Sequence, residues 1–470
     1  MRTQCNQESF EFHPLAGREV RGQFDGGAIT SDGGGLLLRE VEKRTGIIAR
    51  FAACFRDHRA EERVEHTVGE LVAQRVYGLA LGYEDLNDHD QLREDPMLAV
   101  LAEKPDPTGE SRVRERDRGK ALAGKSTLNR LELTKAVVEQ KERYKKITID
   151  QAAVDRLWVE VFIEAQEKAP AEIVVDLDAT DDPLHGNQEG MFFHGYYGHY
   201  CYLPLYIFSG DALLCARLRP SNMDASAGCV EELRWIVAQI RKAWPEVKIT
   251  IRGDSGFCRE ELMAWCEQER VDYVLGLAKN QRLKAEIEEA LEKARAEFEG
   301  TEKPARVFRE FVYQTRESWS RARRVIGKAE HLEKGSNPRF VVTSLAAETW
   351  AARALYEDLY CARGEMENRI KEQLMLFADR TSTAFLRSNQ IRLDFSSAAY
   401  LLVEALRRLG LKATDLAQAQ CSTIRLKLLK IGALIRITVR KVWVSLAGGY
   451  PYAELFAGVY AALQAMPLRC

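Results

Sequence analysis

The sequence feature that most constrains the fold is a change of pattern at Pro170. From about Ser31 to Lys168, apolar residues recur every three or four positions, which predicts helices. After Pro170, β-forming runs and helical stretches follow in the order strand, strand, strand, helix, strand, helix, strand. This order predicts a mixed α/β core that is preceded by a mostly helical region.

The predicted elements of this core can be placed along the chain. The strands are Ile173 to Val175, Met191 to Phe208, Ala212 to Leu218, Val247 to Ile251 and Tyr273 to Leu277, and the helices are Ala225 to Trp244 and Glu260 to Glu269. A charged helix and β-leaning segments then look inserted before the helical pattern resumes from Ala351 to Phe377. We therefore predict a mostly helical region 1–169, a core of 170–280 and 346–410, a β-rich insertion 281–345, and a helical carboxy-terminal region 411–470.

Two aspartates follow predicted strands that can be neighbours. Asp178 ends the first strand and Asp254 follows the fourth, so their side chains lie side by side if these strands pair. Glu367 is the best third acid, on one predicted helical face with Tyr360, Arg363 and Lys371. Converging carboxylates can hold two divalent metals, which neutralise charge on the attacking and leaving oxygens of a phosphodiester. We therefore expect Asp178, Asp254 and Glu367 to be catalytic and metal-binding.

The composition predicts a soluble intracellular protein. Lys and Arg total 68 and nearly cancel the 70 Asp and Glu, which disfavours general coating of DNA but leaves room for local basic patches. The stretch Met1 to Pro14 lacks an apolar run and no segment reaches transmembrane length, so we expect a cytoplasmic protein without membrane contact. Reduced thiols are expected for the scattered cysteines, among them Cys5, Cys54, Cys258, Cys361 and Cys470.

The order of the acids, the β-rich segment between the second and third, and the run YCARGEME from Tyr360 to Glu367 resemble one transposase family. This family is the DDE insertion-sequence transposases, whose signature is Y-x2-R-x3-E-x6-K. The similarity covers about Glu172 to Leu409, and Phe24 to Arg44 resembles the amino-terminal stretch of one prokaryotic branch. Leu374 stands where the family has Lys, so Lys371, one turn earlier, is the candidate for that charge.

The resemblance implies a ribonuclease-H-like mixed sheet with a β-rich insertion, flanked by helical amino- and carboxy-terminal regions, of which 1–169 binds DNA. It implies a transposase that cuts transposon ends and joins them to target DNA by hydrolysis and transesterification. The cofactor would be two Mg²⁺ ions per site, which Mn²⁺ can replace. The partner would be double-stranded DNA, both terminal inverted repeats and target, held by a homodimer on paired ends in the nucleoid-associated cytoplasm.

The resemblance also implies particular DNA contacts. In relatives with a β insertion, Tyr and Arg of the signature grip phosphates near the scissile bond, and an aromatic side chain of the insertion stabilises a flipped base. Carried over to this chain, the DNA-binding residues would be Tyr360, Arg363, Lys371, Trp319, Arg323 and Arg324. The context of Trp319 allows stacking and phosphate contact, although a core or hairpin aromatic is an alternative for this residue.

Two other classes of function remain open on the sequence. Ile173 to Thr180 matches the D-x-D-x-T motif of haloacid-dehalogenase-like phosphatases, with Asp176 as nucleophile and Asp178 as acid and base. Such enzymes need a later acidic pair for magnesium, and Asp254 has no second Asp close behind it. A non-catalytic DNA-binding regulator derived from a transposase would keep the fold without the reaction.

Three further segments have two interpretations each. The basic segment Ala417 to Ala453 predicts either a helix face that tracks DNA or a solvated basic edge. The arginines between Pro105 and Lys125 indicate a surface loop or a DNA contact. Gly33 to Gly35 open the first helix behind Ser31 and Asp32, which suit an N-terminal cap better than a phosphate cradle.

Overall fold

The computed structural model describes residues 9–133, 136–138 and 144–469. The thiol predictions for Cys5 and Cys470, and the part of the prediction for Met1 to Pro14 that concerns residues 1–8, lie outside these ranges. The chain forms two compact units: the core unit of residues 150–397, and the terminal unit of residues 1–149 and 398–470. One boundary falls just before the helix Gln151–Ala165, and the other falls inside the helix Leu386–Leu406.

A nine-stranded mixed sheet forms the centre of the core unit. Its main strands are β1 (Glu172–Ala179), β2 (Leu205–Ser209), β3 (Ala212–Arg217), β4 (Lys248–Gly253), β5 (Asp272–Leu277), β6 (Ala305–Tyr313), β7 (Arg323–Leu332) and β8 (Arg339–Thr343). They lie in the order β3-β2-β1-β4-β5-β8-β7-β6, and the short strand Gly335–Ser336 pairs with β7. β4 runs parallel to β1 and to β5, and the other neighbours are antiparallel. The predicted mixed α/β core is confirmed.

The two faces of β1 have different surroundings because successive side chains point to opposite sides of a strand. Ile173, Val175 and Leu177 pack into the large hydrophobic core with the apolar stripe of the helix Cys229–Ala243. Burial of each such aliphatic side chain stabilises the fold by roughly 1.5–3 kcal/mol. This packing fixes the register of β1 and leaves its two aspartates on the other face.

Eight helices of the described chain begin in the core unit: Gln151–Ala165, Cys229–Ala243, Glu260–Glu269, Gln281–Glu286, Glu288–Thr301, Ala352–Ala354, Gly364–Met375 and Leu386–Leu406. Between Ala352–Ala354 and Gly364–Met375 the chain stays helical, first with π geometry over Leu355–Tyr360 and then with 3₁₀ geometry over Cys361–Arg363. The helical signature segment predicted from Ala351 onward is therefore confirmed, with a changed hydrogen-bonding pattern at its centre. Departures from α geometry inside a helix are frequent at functional sites.

The predicted single strand from Met191 to Phe208 is wrong. Only β2 joins the central sheet, while Asp182–Pro183, Phe192–His194 and His199–Tyr202 form a separate three-stranded sheet. A glycine-flanked turn breaks the run, since Gly198 adopts a left-handed φ of 75° that few other residues tolerate.

The terminal unit combines helices with short strands. Its α-helices are Gly35–Thr45, Ile47–Ala53, Val68–Leu81, His89–Leu92, Pro96–Leu101, Lys125–Glu132, Cys421–Ile424 and Ala453–Gln464. Short 3₁₀ or π segments are Glu61–Arg63, Leu86–Asp88, Glu115–Asp117, Arg407–Leu411 and Arg425–Leu429. Its strands are Phe10–Leu15, Arg18–Gly22, Ile29–Thr30, Phe55–Asp57, Ile147–Ile149, Ala433–Ile437 and Val442–Leu446.

The prediction of a helical carboxy-terminal region, 411–470, is wrong in its middle part. Ala433–Ile437 and Val442–Leu446 form an antiparallel hairpin that pairs with Ile29–Thr30. The alternating β-branched residues of this segment favour a strand, although its basic residues interleaved with Leu and Ile led to the prediction of a helix. The basic residues Arg436 and Lys441 consequently lie on an exposed hairpin and not on a helix face.

The predicted cap of the first helix is also wrong. The helix begins at Gly35 without a side-chain cap, and Asp32 instead accepts a hydrogen bond from the hydroxyl of Tyr83 (2.6 Å) and pairs with Lys430 (2.6 Å). Gly34 is required by close packing, since a Cβ there would lie 1.8 Å from the carbonyl oxygen of Leu428. The glycine turn is therefore a site of backbone contact within the terminal unit.

Two general expectations can be compared with this fold. The cysteines that the structure describes, including Cys54, Cys258 and Cys361, are free thiols. Over the described ranges, no helix combines the length and apolar character needed to cross a membrane.

Candidate active site

The first two acids of the site are brought together by strand pairing. β1 and β4 are parallel neighbours, with Arg252 opposite Asp176 and Gly253 opposite Leu177. The next step of this register places Asp254 beside Asp178, at the carboxyl end of both strands. The predicted pairing of these two strands is therefore confirmed.

The third acid reaches the same place from a helix. Glu367 lies on the helix Gly364–Met375, and it lines one cleft of about 620 Å³ together with Asp178 and Asp254. Lys371 is exposed and lines this cleft too, as does Leu374. The three acids, which span positions 178 to 367 of the chain, thus line one cleft at the edge of the sheet.

Arg363 connects the helix to the strand. Its Nη1 lies 3.6 Å from Oδ2 of Asp178, and its Nη2 lies 3.1 Å from Oε1 of Glu367. Backbone groups hold the two aspartates from the other side: the N–H of Ala179 donates to Oδ1 of Asp178 (3.0 Å), and that of Gly256 donates to Oδ1 of Asp254 (2.8 Å). Asp178 and Asp254 are therefore each oriented by a backbone N–H group that lies close to them in the chain.

The electrostatics of the cleft show crowded carboxylates. The pKa of Asp178 is raised to about 6, with burial as the main cause; Asp254 and Glu367 also raise it, and Arg363 lowers it. Burial and the two neighbouring acids disfavour the charged form of Asp178, and a bound cation would favour it.

Carboxylate oxygens are the donors that hard divalent cations prefer, so the acids fit such a metal by chemistry. As placed, however, no three Asp, Glu, His or Cys side chains of the described residues are grouped closely enough to hold an ion. Arg363 lies against both Asp178 and Glu367, and a metal bound by all three acids requires this guanidinium to move aside.

Tyr360 approaches the cleft from the same helical segment. Its ring packs against that of Tyr356 at 5.5 Å, and burial raises the pKa of its hydroxyl, which keeps the hydroxyl a proton donor. On β5, a Cβ at Gly276 would lie 2.6 Å from the Tyr360 hydroxyl and 2.8 Å from the backbone nitrogen of Ser255. Glycine is therefore needed where Tyr360 passes beside the Asp254 loop.

Asp176 has a structural role that the sequence did not reveal. Arg252 donates to both of its carboxylate oxygens (2.5 and 2.8 Å) and also to the carbonyl oxygen of Leu359 (2.5 Å). The pair is buried, so it anchors the signature helix to β1 and β4. A phosphatase nucleophile must be open to substrate, and this placement of Asp176 argues against that alternative.

The predicted DNA contacts of the insertion disagree with the structure. Trp319 is only 6% exposed and packs into the core, with its ring 5.8 Å from that of Tyr313. Arg323 has a side chain 2% exposed and pairs with Glu260 (2.6 Å) and Glu267 (2.7 Å).

Arg324 is also occupied within the protein, because it donates to the carbonyl oxygens of Leu345 and Trp350 (2.8 Å each) and pairs with Glu310 (2.6 Å). The turn between β6 and β7 thus folds back onto the sheet. Trp319 and Arg323 are buried, and the partly exposed Arg324 is held by contacts within the protein, so none of the three faces DNA as placed.

Sequence reasoning missed an aromatic group at the rim of the cleft. His194, Tyr196 and Tyr197 line the same cleft as the three acids. The signal that could have found them is the motif Gly195-Tyr-Tyr-Gly198, in which glycines flank two aromatic residues at a turn. The neighbouring His199 contacts Asp181 at 2.8 Å.

A second cleft, of about 640 Å³, lies in the terminal unit and is strongly basic. Its basic side chains are Arg59, Arg63, Arg93, Arg112, Arg114, Arg116, Arg130 and Lys146, and its acids are Glu65, Asp90 and Asp117. Burial and the cations Lys104 and Arg112 lower the pKa of His66, at the wall of this cleft, to about 3. Arg112, Arg114 and Arg116, from the arginine-rich segment 105–125, therefore line this basic cleft.

A mixed α/β sheet with two carboxylates at the ends of parallel strands, and a third on the same cleft, is compatible with metal-assisted phosphoryl transfer. The model of the family described as "Transposase DDE domain group 1" matches residues 12–468, and the chain belongs to this family. The protein is therefore a DNA transposase, an enzyme that cleaves DNA and transfers its strands. Members of this family typically use divalent metal ions.

Comparison with solved structures matched the cryo-EM structure of a piggyBac transposase synaptic complex with hairpin DNA. The identity is 12%, the TM-score is 0.40, and the match covers 85% of this chain and 80% of that chain. Comparison with curated proteins gave no match.

Proposed function

We propose that this transposase cuts transposon ends and joins them to target DNA at the cleft of Asp178, Asp254 and Glu367. The observation that supports this proposal best is the parallel register of β1 and β4, which sets two of the acids side by side, with the third on the same cleft. The working cofactor is two Mg²⁺ ions per site, replaceable by Mn²⁺. When bound, these ions neutralise charge on the attacking and leaving oxygens.

The side chains of the cleft have different roles in this proposal. Asp178 and Asp254 supply metal ligands from positions held by the sheet, and Glu367 joins them once Arg363 turns to the DNA. Arg363 then grips a phosphate through two parallel hydrogen bonds, for which its planar guanidinium is suited. The protonated hydroxyl of Tyr360 donates to the same backbone, and Lys371 supplies the positive charge that Leu374 cannot.

The core of this enzyme is of ribonuclease-H type in our proposal. Its support is the strand order β3-β2-β1-β4-β5, in which an antiparallel trio is followed by parallel strands and the acids end β1 and follow β4. Strands β6, β7 and β8 then correspond to the insertion of residues 281–345 and extend the same sheet.

The terminal unit is the main DNA-binding part in our proposal, which assigns DNA contact to the region 1–169. The basic cleft supports this assignment, because cations that neutralise backbone phosphates release counterions and so favour binding. The DNA is double-stranded and includes the terminal inverted repeats and the target. A homodimer on paired ends, acting in the cytoplasm at the nucleoid, completes the proposal.

The test is a cleavage assay on DNA that carries the terminal repeats flanking the gene. We expect Mg²⁺-dependent nicking and strand joining by the wild type, and a loss of roughly 1,000-fold or more in Asp254→Ala and Glu367→Gln. Glu365→Gln is the matched control, since Glu365 is exposed on the same helix and is absent from the cleft lining; it should keep its activity.

The same preparations separate the alternatives. DNA binding without any metal-dependent nicking would indicate a regulator. Hydrolysis of small phosphomonoesters that is lost in Asp176→Asn would indicate a phosphatase. Equal nicking by Glu365→Gln and Glu367→Gln would remove Glu367 from the site.

A further inference from the structure

We propose that the aromatic hairpin, residues 192–202, is a stacking platform for an unpaired base of the DNA strand beside the scissile phosphate. This inference rests on the proposed function of the acid-lined cleft. The hairpin consists of Phe192–His194 and His199–Tyr202, which pair antiparallel with His194 opposite His199. Its turn, Gly195 to Gly198, carries the two tyrosines.

The rings of this hairpin are exposed to an unusual degree. Tyr196 is 86% exposed at the turn, and Phe193 and Tyr200 are exposed on the strands with ring centroids 5.5 Å apart. The ring of Tyr196 lies edge-on to that of Tyr197, at 5.0 Å and 86°. Large apolar rings that are clustered at a surface mark a place where another molecule binds.

The position of the hairpin indicates that the molecule bound by these rings is the DNA strand at the cleft. Tyr196, Tyr197 and His194 line the same cleft as Asp178, Asp254 and Glu367. The hydroxyl of Tyr197 donates to the carbonyl oxygen of Ala179 (3.4 Å), the residue that follows Asp178 on β1. A strand whose phosphate lies among the acids therefore passes its neighbouring nucleotides over these rings.

The chemistry of the hairpin suits a nucleotide. Residues 191–202 contain no Asp or Glu, so the DNA backbone meets no repulsion from this segment. Every base has a π face, and stacking on tyrosine is tolerant of sequence. Bases within a duplex are already stacked, so the free rings suit a base that has left its pair at the cleavage point.

Trp319 cannot take this role as placed, because it is buried against Tyr313 and beneath Arg323. Exposure of its ring would require the turn between β6 and β7 to leave the sheet core. Tyr196 needs no such rearrangement.

The experiment uses the full chain carrying Glu367→Gln, with duplexes that contain 2-aminopurine beside the cleavage position. Its fluorescence reports whether this base leaves the duplex stack and which ring it meets. We expect a change on binding that is lost in Tyr196→Ala and kept in Tyr196→Phe, which preserves the ring. In the otherwise wild-type chain, Tyr196→Ala should slow cleavage roughly 10-fold or more, and Tyr196→Phe should restore it.

Trp235→Ala is the control, since Trp235 is 66% exposed on the helix Cys229–Ala243 and is absent from the cleft lining. The proposal is overturned if Tyr196→Ala behaves like Trp235→Ala, or if Trp319→Phe abolishes the fluorescence change while Tyr196→Ala keeps it. Such a result leaves the proposed function intact, whereas cleavage that survives Glu367→Gln contradicts the proposed function itself.

Discussion

Nη1 of Arg363 lies 3.6 Å from Oδ2 of Asp178, so the signature helix contacts the strand that carries the first catalytic candidate. The other nitrogen of the same guanidinium lies 3.1 Å from Glu367. Arg363 thus holds the position between two acids from which a metal ion would have to displace it. In our proposal the arginine turns from the acids to a DNA phosphate as the metal binds.

Arg363→Gln should separate metal binding from cleavage. Removal of the competing cation should leave Mn²⁺ affinity unchanged or increased, while loss of the phosphate contact should slow cleavage roughly 100-fold. Metal titration followed by electron paramagnetic resonance, beside the nicking assay, measures both quantities. Weaker Mn²⁺ binding in the variant would show that Arg363 supports the metal site and does not compete with it.

Gly276→Ala should impair the site by steric means. Its Cβ would lie 2.6 Å from the Tyr360 hydroxyl, 2.8 Å from the Ser255 backbone nitrogen and 3.1 Å from the carbonyl carbon of Asp254, so the Asp254 loop and Tyr360 must shift. We expect a large fall in the cleavage rate, measured in the nicking assay.

Gly300→Ala is the matched control for this change, because a Cβ there meets nothing within 4 Å. A Gly276→Ala enzyme with wild-type rates would show that the Tyr360 hydroxyl has room to move without consequence.

Asp176 and Asp178 should respond in opposite ways to loss of charge. Asp176→Asn breaks the buried bidentate pair with Arg252 and should lower the free energy of unfolding by about 3–5 kcal/mol. Asp178→Asn removes a carboxylate from a crowded cleft, so stability should be kept while cleavage is lost. Urea unfolding and the nicking assay, run on both variants, check the contrast; equal stability of the two would contradict the structural role of Asp176.

Asp394 should make the protein less stable as pH rises. This fully buried acid accepts a hydrogen bond from Gln390 (2.9 Å), and burial raises its pKa to about 8. Since the folded pKa lies above the unfolded value, the contribution of Asp394 to stability is complete at pH values below its ordinary pKa of 3.8 and is lost as pH rises through about 8. The loss is about 1.4 kcal/mol per pH unit in this window.

Asp394→Asn cannot ionise, so its stability relative to wild type should grow between pH 5 and pH 8 by an amount of roughly 1.4 kcal/mol per unit. Asp182, another buried acid whose pKa is raised to about 8, is present in both proteins and cancels in the difference. Urea unfolding at the two pH values measures this difference. A constant gap between variant and wild type would show that Asp394 does not titrate in this range.

Local patterns were sufficient to predict the parts of the site that depend on periodicity. The β-forming run before Asp178 and the helical spacing around Glu367 each indicated the correct element, and the strand pairing then followed from the order of elements. The side-by-side placement of Asp178 and Asp254 could be expected because parallel strands end at the same edge of a sheet.

The wrong predictions concern residues whose burial or pairing is determined by tertiary packing. Nothing local distinguishes an exposed aromatic residue from one that fills a core, so the sequence left both interpretations of Trp319 open and did not indicate the exposure of Tyr196. The partner of Asp176 is 76 positions away, so its buried pair with Arg252 had no local signal. In the basic segment around Arg436, the alternating residues favour a strand, and Ile29–Thr30, about 400 positions earlier in the chain, supplies the partner that such a strand requires.

The most direct test of the three-acid site is the position of Mn²⁺ in a complex of the full chain with transposon-end DNA. Anomalous diffraction at the manganese edge should show two ions about 3.5–4 Å apart, ligated by Asp178, Asp254 and Glu367, with Arg363 moved to a phosphate. Ions bound elsewhere, or Glu367 still paired with Arg363 beside a bound metal, would contradict the account.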